Sequence, residues 1–206
     1  MTTTTDSRPE AGSRAGSFAD LIRGGASRDA IAGYLDGLSS RERVAEVRTI
    51  GHGLVGKLYD AVAGSEPLTL NDLVPEGETG TVIFEGKNSL PMFTHFQKRF
   101  ARVGSDIVGY NHQLAVVSMV TGPGYFVVRP PTPGEPHPDE LFFDYTVDAP
   151  AIPGAWPAFV ANDVGLSRLV YMNMKDYCRR VAKGVLVGKA YKLGKPEGNY
   201  FTLTRP

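Results

Sequence analysis

At 206 residues, with 42% hydrophobic and 21% charged residues, the chain is long enough to fold as one domain around a sizeable core. Its 22 Lys and Arg balance its 22 Asp and Glu, so no net field draws it to nucleic acid or to an anionic membrane. The single cysteine, Cys178, excludes an internal disulfide framework and a multi-cysteine zinc site and fits a reducing cytoplasm, and no run approaches the roughly 18 apolar residues of a membrane span.

Residues 1–16 are rich in Thr, Ser and Gly and have no apolar stretch of the kind a signal peptide needs, so they read as a disordered tail. Residues 17–64 read as helical. Phe18, Leu21 and Ile22 form a short stripe that stops at Gly24-Gly25. Ser27 caps a second stripe of Ile31, Tyr34, Leu35 and Leu38. The pattern Ser39-x-x-Glu42 is a capping box, and behind it Val44, Val47, Gly51, Leu54, Leu58 and Val62 mark one helix face running to about Gly64.

That helix contains Gly51-His52-Gly53-Leu54-Val55-Gly56-Lys57, which matches both the dinucleotide and the phosphate-loop glycine patterns. Either function needs a strand before the loop and a helix after it, so that backbone N–H groups converge on phosphate. Arg41, Glu42, Arg43, Glu46 and Arg48 instead give the approach a solvated helical face, and Leu58 stands where a phosphate loop needs Ser or Thr. The glycines are expected to serve close packing, with His52 a partly buried helix residue.

Residues 65–206 change texture to short apolar runs separated by Gly, Pro, Asn and Asp. Strand candidates are 81–84, breaking at Gly86, then 107–110, 114–120, 125–129, 141–147, 168–173, 185–192 and 200–204. Residues 121–124 and 193–199 read as hairpin loops, 130–138 as a proline-rich loop, and 174–183 as a turn of helix. In residues 91–103, Met92, Phe93, Phe96, Phe100 and Val103 recur at helical spacing, which favours a helix. A strand with Phe96 and Phe100 opposite Gln97, Arg99 and Ala101 is the alternative. Lys98, Arg99 and Arg102 are expected on a solvated face, or as anchors for a ligand carboxylate or phosphate. The sequence order of the strands favours an antiparallel meander closed, or nearly closed, into a barrel.

The polar cluster Tyr110-Asn111-His112-Gln113 ends a strand or lines a cavity, and His112 is the first candidate for an acid–base group. Asp144, between Phe143 and Tyr145, is either an inward carboxylate that needs a partner or an ordinary edge residue. His52, His95, His112 and His137 have no metal-ligand spacing, so no metal is expected, and no motif implies a cofactor. Arg179 and Arg180 flank Cys178, whose commoner fate is a small apolar filler.

Several short segments carry a family likeness: Leu58-Tyr59-Asp60-Ala61, Leu68-Thr69-Leu70-Asn71-Asp72-Leu73, Gly80-x5-Gly86-Lys87, Lys175-Asp176-Tyr177-Cys178-Arg179-Arg180-Val181, Gly188-Lys189-Ala190 and Tyr200-Phe201-Thr202-Leu203. Their layout resembles bacterial proteins of the GXWXG type, although Thr81-Val82-Ile83-Phe84-Glu85 stands where the signature tryptophan would be. The resemblance implies a small lipocalin-like barrel and brings no activity with it.

The expected fold is therefore α+β, with N-terminal helices packed on an antiparallel, lipocalin-like β-barrel of about eight strands that can enclose one small ligand. The expected function is binding of a small hydrophobic or amphipathic molecule. Asn88, His95, Arg99, Tyr110, His112, Asp144, Tyr145 and Tyr171 are the candidate ligand-facing residues. One alternative is an isomerase- or cyclase-type enzyme using His112 and Asp144 for proton transfer in the same cavity. The other is a structural or protein-interaction module with a filled core.

Overall fold

The computed structural model describes residues 16–90, 94–112 and 122–206. The expected tail, for residues 1–15, and the strand expected at 114–120 lie outside the described residues. Period-two alternation puts one set of apolar residues from each strand, Phe84, Phe100, Ile107, Phe126, Phe143 and Leu203 among them, on one side, and the closed sheet gives that side a common interior. The strands are β1 (Val82–Asn88), β2 (His95–Val103), β3 (Asp106–His112), β4 (Tyr125–Arg129), β5 (Leu141–Asp144), β6 (Met174–Ala182), β7 (Val185–Lys192) and β8 (Lys195–Thr204). Each pairs antiparallel with the next, and β8 closes onto β1 from Glu85↔Thr204 to Asn88↔Phe201. Leu193 and Gly194, both at positive φ (52° and 73°), form the two-residue β7–β8 turn, so the seven-residue loop expected there is mostly strand.

Three further local expectations are corrected. Residues 95–103 form a strand, not a helix, because Phe96, Lys98 and Phe100 point into the barrel, where Lys98 finds buried partners. Residues 168–173 are not a strand: β5 pairs directly with β6, leaving them no ladder, and Ser167–Val170 is a single helical turn, α6. Residues 174–182, expected as a turn of helix, form β6, with Asp176 and Cys178 inside. The break expected at Gly86 does not occur; β1 runs through it.

The N-terminal helices are α1 (Phe18–Arg23), α2 (Arg28–Asp36), α3 (Ser40–Thr49) and α4 (His52–Ala61), the first three capped by Ser17, Ser27 and Ser39. The single helix expected from Ser39 onwards is broken, since Ile50 and Gly51 are extended and Gly51 becomes the N-cap of α4. What precedes Gly51 is helix, so the backbone geometry of a phosphate loop is absent there. Gly56 instead lets α4 lie against the ring of Tyr200. Phe18, Ile31, Leu35, Val47, Val55 and Leu58 pack on the outer face of β6 and β7 through Val181, Val185 and Val187. Arg179 joins α4 and the proline-rich loop to the wall: it donates to the Tyr59 carbonyl (2.7 Å) and to Glu140 Oε1 (2.8 Å), with its guanidinium over the Tyr59 ring.

A short helix, α5 (Leu70–Leu73), closes one end of the barrel by placing Leu68, Leu73 and Val74 among Phe84, Phe100, Leu186 and Leu203. Asp72 holds this plug in two ways: its Oδ2 accepts from Thr69 N (2.7 Å), and Arg180 grips both carboxylate oxygens at 2.7 Å. Desolvation pushes the Asp72 carboxyl up, but Arg180 and the Thr69 cap outweigh it and leave it below its ordinary value. With the plug at one end, any cavity must open at the other.

Inside the barrel, three glycines each face an aromatic ring across the ladder. A Cβ at Gly86 would lie 2.6 Å from Phe96, one at Gly109 2.5 Å from Phe126, and one at Gly188 2.2 Å from Phe201. The missing side chains are what let these rings lie flat against the wall. Gly188→Val is accordingly expected to lose about 1–3 kcal/mol or more of stability in urea unfolding, and Gly188→Val/Phe201→Ala to regain part of it; equal stability of wild type and Gly188→Val would contradict this packing. A depressed carboxyl contributes stability above its unfolded pKa that disappears as pH falls through the folded one. Asp72→Asn should therefore lower stability at neutral pH and flatten its loss below about pH 4, as read by thermal melts across pH.

Candidate ligand-binding site

The end opposite α5 holds a cavity of ≈ 400 Å³. Phe96, Phe201, Met174, Tyr171, Leu90, Leu169 and Val170 line its sides, and Lys98, Asn111, Tyr145 and Asp176 form its floor. The exposed large apolar side chains among the described residues sit around this same end: Leu90 between β1 and β2, Phe159, Val160, Val164, Leu166, Leu169 and Val170 between β5 and β6, and Leu193 between β7 and β8.

The floor is built by cross-strand register. Lys98 on β2 is paired with Asn111 on β3, and Asp176 on β6 stands across the lumen beside Tyr145, which follows β5. Lys98 Nζ donates to Asn111 Oδ1 (2.8 Å), to the Tyr145 hydroxyl and to Asp176 Oδ2 (3.2 Å). Asn111 Nδ2 donates to the Gly124 carbonyl and to the Tyr145 hydroxyl, both at 3.2 Å, and Tyr145 donates onward to Asp176 Oδ2 (3.2 Å). Phe96, Phe126, Phe143, Tyr145 and Phe201 surround the ammonium, with centroids 4.8–5.8 Å from Nζ. The glycines opposite Phe96, Phe126 and Phe201 therefore shape three walls of this aromatic cage.

The side chains of Lys98 and Asp176 are only 3% and 4% exposed, so the pair is formed out of water. Burial lowers the Lys98 ammonium against the pull of Asp176, and burial raises the Asp176 carboxyl against the pull of Lys98. Tyr145 is raised well above its ordinary value, first by burial and then by the neighbouring Asp176, so it stays a neutral hydroxyl. Burial likewise raises Cys178, and its thiol serves as core filler below the floor.

Of the residues singled out from sequence, Asn88, Tyr145 and Tyr171 line the cavity. Tyr171 stacks on Tyr145 at 5.6 Å and occupies the space that a side chain at position 124 would need. The other five stand outside the wall. His95 is exposed near the Arg48 carbonyl (3.4 Å), and Arg99 reaches Gln97 Oε1 (3.0 Å). Tyr110 is buried against Trp156 on the outer surface, ring centroids 4.8 Å apart. His112 packs edge-on to Tyr110, and burial with the charge of Arg99 lowers its pKa. Asp144 Oδ1 accepts from the Thr146 N–H (2.9 Å) and hydroxyl (2.6 Å), which makes it a turn residue at the end of β5. His112 and Asp144 stand on strands separated by β4, and each has its own local surroundings. Gln113 lies outside the described residues.

Asn111 belongs to the polar cluster expected to end a strand or line a cavity, but sequence reasoning did not place Lys98 or Asp176 inside the barrel. Their signal is the two-residue period: Phe96-x-Lys98-x-Phe100 and Met174-x-Asp176-x-Cys178 each place one charge between inward apolar neighbours.

The fold and the site define a closed eight-stranded meander barrel with an internal, end-opening cavity over a buried cation–carboxylate pair. No family model, curated protein or solved structure matches the chain. Among the described residues, no helix is long and apolar enough to cross a membrane, and no group of three or more His, Cys, Asp or Glu is placed to hold a metal ion.

Removing one member of a buried pair strands the other charge. Lys98→Met should therefore cost about 3–5 kcal/mol in urea unfolding, while Lys98→Met/Asp176→Leu should recover most of it. A double-mutant cycle without coupling between the two positions would refute the buried pair.

Proposed function

We propose that the protein binds a small amphipathic molecule in the barrel cavity. The observation that carries this is the cavity itself: ≈ 400 Å³, inside the range of small-molecule sites, with apolar sides and a polar floor at one end. A molecule with an apolar body and one polar end matches that division. The body lies against Phe96, Phe201, Met174 and Tyr171, and the polar end meets the Lys98–Asp176–Tyr145–Asn111 group. The continuity of Leu90, Leu169 and Val170 between the cavity and its exposed rim supports entry from that end. The likeness to GXWXG-type barrel proteins belongs to the same proposal.

A second proposal, proton transfer on the bound molecule, draws on one observation. The Asp176 carboxyl, raised by burial, borders the cavity, and the neutral Tyr145 hydroxyl stands beside it. In that case Asp176 and Tyr145 take the roles assigned from sequence to His112 and Asp144.

Binding is tested with a neutral apolar dye, N-phenyl-1-naphthylamine. Its fluorescence is expected to rise with the wild-type protein. Ala190→Trp, which puts an indole into the cavity beside Asp176, should weaken the dye by on the order of tenfold with the circular dichroism unchanged. A dye that ignores the folded wild type, or binds both proteins alike, would rule the cavity out as the site.

A further inference from the structure

The chemical class of the ligand's polar end follows from the donors and acceptors of the floor, and the inference rests on the binding function proposed above. An ammonium has three hydrogens, and those of Lys98 are all engaged, by Asn111 Oδ1, the Tyr145 hydroxyl and Asp176 Oδ2. The two Asn111 amide hydrogens go to the Gly124 carbonyl and to Tyr145, and the Tyr145 hydrogen goes to Asp176 Oδ2. Every donor on the floor therefore has an acceptor. The acceptors do not all have donors: Asp176 Oδ1 is buried and makes no hydrogen bond among the described residues. Leaving a buried carboxylate oxygen empty is costly, and Asp176 is one of the residues lining the cavity.

Charge gives a second constraint. Lys98 and Asp176 sum to zero whether the shared proton sits on the amine or on the carboxyl, so the floor offers an anion no net attraction. A buried lysine in a barrel would ordinarily suggest a ligand carboxylate; here the counter-ion is already built in, and an incoming carboxylate would meet Asp176 Oδ1 with no free donor beside it. An ammonium head would lie next to Lys98. A hydroxyl escapes both difficulties: it donates to Oδ1 when Asp176 is ionised and accepts from it when Asp176 carries the proton. At the rim, Lys192 and Glu197 contribute one charge of each sign and do not alter the balance.

We infer that the cavity selects a neutral hydroxyl compound, an alcohol or phenol with an apolar body, held by its hydroxyl on Asp176 Oδ1, and discriminates against the matching carboxylate.

The test is displacement of N-phenyl-1-naphthylamine by two matched series: 1-dodecanol, its methyl ether and dodecanoate, and 2-naphthol, its methyl ether and 2-naphthoate. In whichever series fits, the hydroxyl compound is expected to displace dye at roughly tenfold lower concentration than the ether, which cannot donate to Oδ1, and lower still than the carboxylate. Asp176→Asn removes the built-in counter-ion and should reverse the order, with the carboxylate becoming the tighter ligand. Should that variant fail to fold, the wild-type order of hydroxyl, ether and carboxylate still decides. A carboxylate that competes as well as the hydroxyl compound, or an ether equal to it, overturns the inference and leaves the binding function standing. A wild-type protein that takes up neither the dye nor any of the six compounds overturns both.

Discussion

The constraint on which the rest of this structure depends is the Lys98–Asp176 pair, formed almost wholly out of water inside a small barrel. Two charges taken from water lose several kcal/mol of solvation each, and their mutual attraction returns it only if geometry and further hydrogen bonds are good. That requirement explains why Asn111 and Tyr145 share the same layer: they supply the remaining acceptors of the ammonium and a second donor to the carboxylate. It also explains the ring of Phe96, Phe126, Phe143 and Phe201, whose faces offer a cation some of what water would have offered.

Such a cage has to be made room for. An eight-stranded barrel has an interior just wide enough for side chains to fill, so four large rings and a lysine fit only if other wall positions are nearly empty. Gly86, Gly109 and Gly188 are those positions, each directly beneath a ring. The glycines, the aromatics and the charged pair are thus one solution to one packing problem. Closure of the far end by α5, tied through Asp72 and Arg180, places the remaining free volume at the open end, above the pair.

Much of the fold is legible in the sequence and rather less of the site. Barrel class and helical front end follow from apolar periodicity and turn residues, because those signals are local, while the number of strands agrees although β2 and β6 read locally as helix and 168–173 as a strand. Where they fail, tertiary context outweighs a local pattern. The phenylalanines of 93–100 have helical spacing, yet Phe96 and Phe100 are held by a strand ladder with β1 and β3. Residues 168–173 look strand-like but have no neighbour to pair with. Tyr145, Tyr171 and Asn88 are found at the cavity. Lys98, however, is read as a solvated residue or an anion anchor and Asp176 is not singled out, because a lone charge is most often exposed and the two partners are 78 residues apart in sequence. His112 and Asp144 drew attention as polar residues in apolar runs, and that is also how the outward face of a barrel strand looks.

The energetics of the floor bear on why such a group is present at all. A buried ion pair is seldom the most stable filling for its volume; well-packed apolar residues are commonly as good, or better by about 1–4 kcal/mol. An unfilled carboxylate oxygen adds a further cost that apolar residues at both 98 and 176 would avoid. A barrel under pressure only to stand would be expected to lose both features and to fill the ≈ 400 Å³ above them. Stability alone therefore gives no reason for this arrangement, whereas the ligand recognition proposed above does. The cage orients Lys98, Lys98 and Tyr145 together occupy one oxygen of Asp176, and the other oxygen, buried in a residue that lines the cavity, has no partner among the described residues. What the fold holds in place is a buried acceptor with its charge already balanced, the feature on which the proposed selection of a hydroxyl ligand over an anion rests.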